Sequence, residues 1–152
     1  MLDDLDVKIL QLLQQNARMT NADISRTVGI APSAVLKRIR RLEEERVILG
    51  YETRVAPEAF GLEMGAFVKI HTDEKPGETA VGRKIAAMPE VEEVHFMAAD
   101  FYYLVKLREK NPAAHARFVK KLGDIGVRDC YTLLILETLK ETFALHKEDS
   151  VR

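Results

Sequence analysis

The chain has 152 residues, 47% of them hydrophobic, and a formal net charge of −1. This is enough apolar content for one ordinary domain or two small ones, and it excludes a disordered chain or a uniformly basic nucleic-acid binder. A single cysteine, Cys130, excludes an intrachain disulfide framework, and His71, His95, His115 and His146 lie too far apart for zinc-ligand spacing. Asp3, Asp4 and Asp6 stand where a signal peptide carries cations, and no apolar run approaches the roughly 20 residues of a bilayer span. The expectation is a soluble, cytoplasmic protein with no metal and no cofactor.

Leu2, Leu5, Ile9, Leu12 and Leu13 recur at helical spacing and predict a first amphipathic helix from about Asp3 to Asn16, with an acidic first turn suited to the helix dipole. Thr20 followed by Asp23 reads as a capping box, opening a short second helix with Ile24 and Val28 on its buried stripe and a stop near Gly29. Pro32, at a first helical position, opens a third. There Val35, Ile39 and Leu42 share one face, which leaves Ser33, Lys37, Arg40 and Arg41 opposite and Arg38 on the flank.

From Arg18 to Leu42 six cations face one anion, Asp23, so the near-neutral total conceals a basic tip. A charged helix face is ordinarily just a solvated one. Here, however, the cations stand on the third helix of a trihelical unit while Glu43, Glu44 and Glu45 gather at its C-terminal end. Such a helix enters a major groove N-terminus first without presenting carboxylates to phosphate. With a strand-like Val47 to Val55, residues 1–55 read as a winged helix-turn-helix for double-stranded DNA, with Ser33, Lys37, Arg38, Arg40 and Arg41 as its candidate contacts.

Pro57 and Gly61 mark a linker over 56–62. Beyond it, Met64, Ala66, Val68 and Ile70 alternate as a strand, and Val81, Ile85 and Met88 mark a helix stopped by Pro89. Val94, Phe96 and Ala98 make a second strand and Phe101 to Leu107 a third. Pro112, Phe118, Val119 and Leu122 mark a second helix, and Val127 to Leu139 read as a long fourth strand. Residues 63–152 are thus an α+β, ferredoxin-like β-α-β-β-α-β domain. Two helices cover one face of such a sheet, yet Gly65, Phe67, Leu104, Leu134 and Leu136 make the strands apolar on the other as well. Self-association through that face follows, with a homodimer as the minimal unit.

Leu5-Asp6 with Ile9-Leu10, Asn16-Ala17-Arg18, Asp23-Ile24, Val28-Gly29-Ile30, Arg38-Ile39 with Leu42-Glu43, Val47-Ile48 with Gly50-Tyr51, Pro89-Glu90-Val91 and Gly126-Val127 together resemble the Lrp/AsnC (feast/famine) family across nearly the whole chain. The resemblance implies a DNA-binding regulator whose dimers assemble further, often into octamers, with a small-molecule effector, commonly an amino acid, bound between dimers. It also places the recognition helix at Pro32 to Glu43. Two departures stand out. Ala31 replaces the family's usual Ser, removing a helix cap and a hydroxyl. The family's Gly-x-x-Asp pocket pattern falls on Ala99 and Tyr102, within a candidate effector site of Ala98, Ala99, Asp100 and Tyr102. Loss of that aspartate predicts weak binding of common amino acids, with Asp100 expected to point elsewhere along a strand.

Two other readings share parts of this pattern. Phe101, Tyr102 and Tyr103 on an inner strand outline an RNA-binding module, but the glycine-aromatic pattern of such modules is missing. Some proteins of this two-domain architecture act on tetrapyrroles, which would cast His71 and His95 as catalytic. Without a nucleophile, carboxylate or metal partner at recognisable spacing, these histidines read as structural and the protein as not an enzyme. Cys130 reads as a small packing residue.

Overall fold

The acidic start of the chain caps the helix it precedes. In the computed structural model, which describes residues 2–100 and 102–145, Asp3 accepts from the Asp6 backbone N–H at 2.8 Å while Asp6 accepts from that of Asp3 at 3.1 Å. This reciprocal box opens α1, Asp4–Gln15. Thr20 caps α2, Asn21–Val28, by accepting from Asp23 N–H at 3.2 Å, and its hydroxyl donates to the Asp23 carboxylate at 2.6 Å. Gly29 ends α2 at φ 75°, a left-handed conformation open to a residue without Cβ. Helix α3, Pro32–Glu44, starts at Ala31 with no side-chain cap, and Pro32 has no N–H that would need one.

The described residues divide into two compact units, residues 2–53 with 140–145, and a second within 54–139. In the first, Ile9, Ile24, Val35 and Ile39 form the core, and Leu42 is also buried. After α3, the backbone N–H groups of Val47 and Ile48 both bond to Leu42 O. The strand predicted over Val47 to Val55 does not form among the described residues, because a strand needs a ladder partner and this unit supplies none. Val47, Leu49, Tyr51 and Val55 are left exposed. Residues 140–145, read from sequence as part of the second domain, group instead with this unit. There the Leu145 backbone and the Gln14 amide exchange hydrogen bonds of 2.5 and 3.3 Å. Phe101, the expected start of the third strand, and residues 146–152, the end of the predicted second domain, lie outside the described residues.

The second unit is the expected β-α-β-β-α-β layer: β1 Met64–Thr72, α4 Ala80–Ala86, β2 Val91–Phe96, β3 Tyr103–Glu109, α5 Pro112–Asp124 and β4 Val127–Leu134. A 3-10 turn, Pro57–Phe60, precedes it. The sheet order is β2-β3-β1-β4 and every pairing is antiparallel. Ala66, Val68, Ile70, Val105, Leu107 and Tyr103 pack under Val81, Ile85, Phe118 and Leu122. His115 ties α5 to the sheet, its Nδ1 2.7 Å from Glu109 Oε2 and its Nε2 2.7 Å from Thr132 Oγ1.

Strand β4 ends at Leu134, short of the predicted Leu139. Its partner β1 begins at Met64, and the last bond between them is Ile135 N to Gly65 O at 2.9 Å. The register pairs Phe67 with Leu133 and Ala66 with Leu134. Leu133 and Ile135, not Leu134 and Leu136, therefore join Phe67 and Gly65 on the face away from the helices, since cross-strand partners share a side. That face is mixed in character. Lys106, opposite Phe67, lies on it, 3.4 Å from both Glu92 and Glu93.

Candidate DNA-binding helix and effector pocket

Helix α3 presents two sets of cations. Ser33, Leu36, Lys37 and Arg40 form its exposed outer face, as their spacing near multiples of a helical turn requires. Neither Lys37 nor Arg40 has a carboxylate partner among the described residues. Leu36, 37% exposed, was not singled out from sequence, where it reads as one more apolar residue beside the buried stripe.

Arg38 and Arg41 turn the other way. Arg38 Nη1 lies 2.6 Å from Asp3 Oδ2 and 2.7 Å from Asp6 Oδ1, and Arg41 Nη2 lies 2.5 Å from Asp6 Oδ2. The Asp6 side chain is fully buried. Burial pushes its carboxyl up, but the Asp3 N–H, Arg38 and Arg41 outweigh that and hold it below the ordinary value. The Asp6 backbone N–H, then Arg38, lower Asp3 as well, and the two carboxylates in turn raise Arg38. Arg38 and Arg41, expected from sequence to serve DNA with Lys37 and Arg40, are thus already engaged within the protein. Arg26 is likewise paired with Asp23.

In the second unit a depression of about 480 Å³ is lined by His71, Thr72, Asp73, Glu74, Ala99, Asp100, Tyr102 and Arg128. Of the candidate effector residues, the fold brings Ala99, Asp100 and Tyr102 together. Ala98 is exposed and does not line the depression. Strand β2 stops at Phe96, so Asp100 sits in a loop, free of strand alternation, and reaches the same space as Ala99 and Tyr102. The loop is held by His71, whose Nε2 donates to Asp100 O at 2.6 Å while Nδ1 lies 2.5 Å from Asp129 Oδ1. Tyr102 N–H bonds to Ile70 O at 3.0 Å, and the Tyr102 ring stacks on Phe96.

The lining side chains differ in availability. Glu74 accepts from Val81 N–H at 2.9 Å and from the Tyr103 hydroxyl at 2.7 Å. Burial raises its carboxyl, and these donors outweigh that and lower it, while burial and then Glu74 push the Tyr103 hydroxyl up to about 12. Glu74 therefore serves the start of α4. Arg128 is loosely held, its Nη1 3.8 Å from Asp73 and its Nε 3.4 Å from Asp129. The Asp100 carboxylate has no partner among the described residues. No signal in the sequence marks Arg128 or Asp73, which reach the pocket only through the sheet register. Cys130 is half-buried, and burial, then Asp129, push its thiol up, in keeping with a packing role.

A basic helix-turn-helix followed by a sheet domain with a polar pocket defines a DNA-binding regulator with an appended ligand-binding domain. The AsnC-type helix-turn-helix domain matches residues 2–43 and the Lrp/AsnC ligand binding domain residues 65–145. The chain belongs to the Lrp/AsnC family of transcriptional regulators. It is 36% identical over 146 residues to the HTH-type transcriptional regulator FL11 of Pyrococcus furiosus, covering 95% of each chain. It is 34% identical over 148 residues to the leucine-responsive regulatory protein of Haemophilus influenzae, covering 93% of this chain and 87% of that one. The fold superposes on the crystal structure of the transcriptional regulator NMB0573 from Neisseria meningitidis in complex with L-Met. The TM-score is 0.88 at 30% identity, with 96% and 97% of the two chains covered. No helix among the described residues is long and apolar enough to cross a membrane.

Proposed function

We propose that this regulator grips double-stranded DNA as a homodimer through the outer face of α3 and takes a free amino acid in the pocket at the end of β1. The observation that carries the effector reading is the charge arrangement of the lining. The unpartnered Asp100 carboxylate, with Asp73 nearby, suits an α-ammonium, and the loosely held Arg128 suits an α-carboxylate. The sequence alone reads Ala99 and Tyr102 as weakening amino-acid binding, because Tyr102 stands where the family has aspartate. Asp100 supplies a carboxylate from the neighbouring loop position instead. The methionine complex of the Neisseria relative supports the same ligand class.

Ser33, Lys37 and Arg40 are the DNA contacts of this reading, with Leu36 available to a thymine methyl. Assembly is supported by Phe67, Leu104 and Leu133 on the uncovered sheet face and by the exposed apolar side chains of Val47, Leu49, Tyr51 and Val55. Further association of dimers into octamers belongs to the same proposal. So does a cytoplasmic, non-catalytic role, which the regulatory character of the relatives supports.

Calorimetric titration of each common amino acid tests the effector reading. Saturable binding of at least one, abolished by Ala99→Trp and accompanied by a change in DNA retention in gel-shift assays, is the expected result. Absence of binding by all of them overturns it.

A further inference from the structure

Four charged groups meet where the N-terminus of α1 crosses α3, and every carboxylate oxygen among them is occupied. Asp6 Oδ1 receives Arg38, while Asp6 Oδ2 receives Arg41 and the Asp3 N–H. Asp3 Oδ2 receives Arg38, and Asp3 Oδ1 the Asp6 N–H. Asp6 is completely shielded from solvent, and Arg38 keeps only 27% of its side-chain surface. Two cations and two anions therefore form a locally neutral unit on the flank of the helix that faces DNA.

We propose that Asp3 and Asp6 act as an internal substitute for phosphate. They withhold Arg38 and Arg41 from the DNA backbone and, by anchoring α3 to α1, leave Lys37 and Arg40 as the cations the helix offers. This deepens the reading of α3 as the recognition helix and rests on it. The physical reason is competition. A phosphate draws an arginine by the same bidentate, charge-assisted bonds that a carboxylate offers. Moving Arg38 to phosphate, however, would leave the buried Asp6 charge short of a partner, and an uncompensated buried charge is strongly disfavoured. Arg41 is more exposed, at 43%, but it supplies the bond to Asp6 Oδ2 that Arg38 does not. Asp3 and Asp6 are thus positioning residues for DNA binding that need touch no nucleotide. The withheld charge also limits sequence-independent affinity, which scales with the number of phosphates neutralised.

The test is the salt dependence of binding to a mixed-sequence DNA duplex, measured by fluorescence anisotropy on the full chain, with circular dichroism melts to verify folding. Each cation that neutralises a phosphate contributes about 0.9 to the slope of log K against log salt. Lys37→Ala and Arg40→Ala are each expected to flatten the slope by about that amount per bound protomer, whereas Arg38→Gln and Arg41→Gln leave it unchanged. The double variant Asp3→Asn/Asp6→Asn, which removes the carboxylate partners of both arginines, is expected to steepen the slope and tighten binding to the mixed-sequence duplex, an effect that a merely structural salt bridge would not produce. Should a lone buried partner prevent folding, the paired variant Asp6→Asn/Arg38→Gln removes both members and frees Arg41 alone, so the slope steepens by about half as much as two freed cations would give. Flattening by Arg38→Gln or Arg41→Gln to the extent seen for Lys37→Ala overturns the inference while leaving the recognition helix in place. A slope indifferent to Lys37 and Arg40 as well overturns the reading of α3 beneath it.

Discussion

Arg38 Nη1 and Asp6 Oδ1 lie 2.7 Å apart, joining α3 to a carboxylate that is itself part of the capping box of α1. One buried side chain thus serves local helix initiation and the packing of α3, so its loss is felt at both levels.

Acid should therefore weaken the N-terminal unit. The Asp6 carboxyl is held below its ordinary value of 3.8 in the folded chain, and a depressed carboxyl contributes stability that is complete above the unfolded value and lost as pH falls through the folded one. Asp3 and Asp23, in the same unit, are shifted in the same direction. Thermal melts from neutral pH down to about pH 2 should show a steep decline below about pH 4. Asp6→Asn should lower stability at neutral pH and make the decline shallower, with the residue of the slope left to the other carboxyls. An unchanged profile in that variant would mean that Asp6 is not held as described.

Gly82→Ala should destabilise the second unit by about 1–3 kcal/mol, the usual range for overpacking. A Cβ built on Gly82 falls 2.4 Å from Tyr103 Cε1, and the Tyr103 ring cannot retreat freely because its hydroxyl is bonded to Glu74. Urea unfolding with m unchanged measures the loss. A second substitution, Tyr103→Leu, should recover part of it by removing the obstructing ring.

Assembly should fail when charge is placed on the uncovered sheet face. Phe67→Glu and Leu133→Glu put like charges at directly paired positions, so each should move sedimentation at micromolar concentration towards monomer, and the double variant should do so more strongly. Leu134→Glu, across the strand, should have a smaller effect. Equal effects at positions 133 and 134 would argue against the sheet face as the interface.

Effector affinity should depend on Arg128 and Asp100 together. For whichever amino acid binds, Arg128→Ala and Asp100→Asn should each weaken calorimetric affinity by roughly 10- to 100-fold, the value of a charge-assisted hydrogen bond. Ala98→Ser, outside the lining, should leave it unchanged. Tyr102→Asp, which restores the family's carboxylate, should strengthen binding if position 102 meets the ammonium and leave it unaltered if Asp100 already does.

Much of this protein is legible in its amino-acid order because the informative signals are local. The apolar stripes of Ile9, Ile24, Val35 and Ile39, the Thr20 cap, the stop at Gly29 and the start at Pro32 each act within a few residues, and they produce the three helices where expected. Alternation along Ala66, Val68 and Ile70 likewise places the sheet's buried face. The exceptions are the places where a residue's role depends on a partner distant in sequence. Val47 to Val55 has strand composition but no neighbour in this unit with which to pair. Leu133 rather than Leu134 faces outward because the β1–β4 register, not the alternation of β4 alone, sets the side. Asp100 reaches the pocket because β2 ends four residues before it and the loop is free of strand geometry. The four cations of α3 look alike in sequence, since helical periodicity gives only the angle at which each leaves the helix. Whether that direction meets solvent or carboxylate was settled by the crossing of α1, which brings Asp3 and Asp6 against Arg38 and Arg41 from more than thirty residues away and leaves Lys37 and Arg40 facing outward.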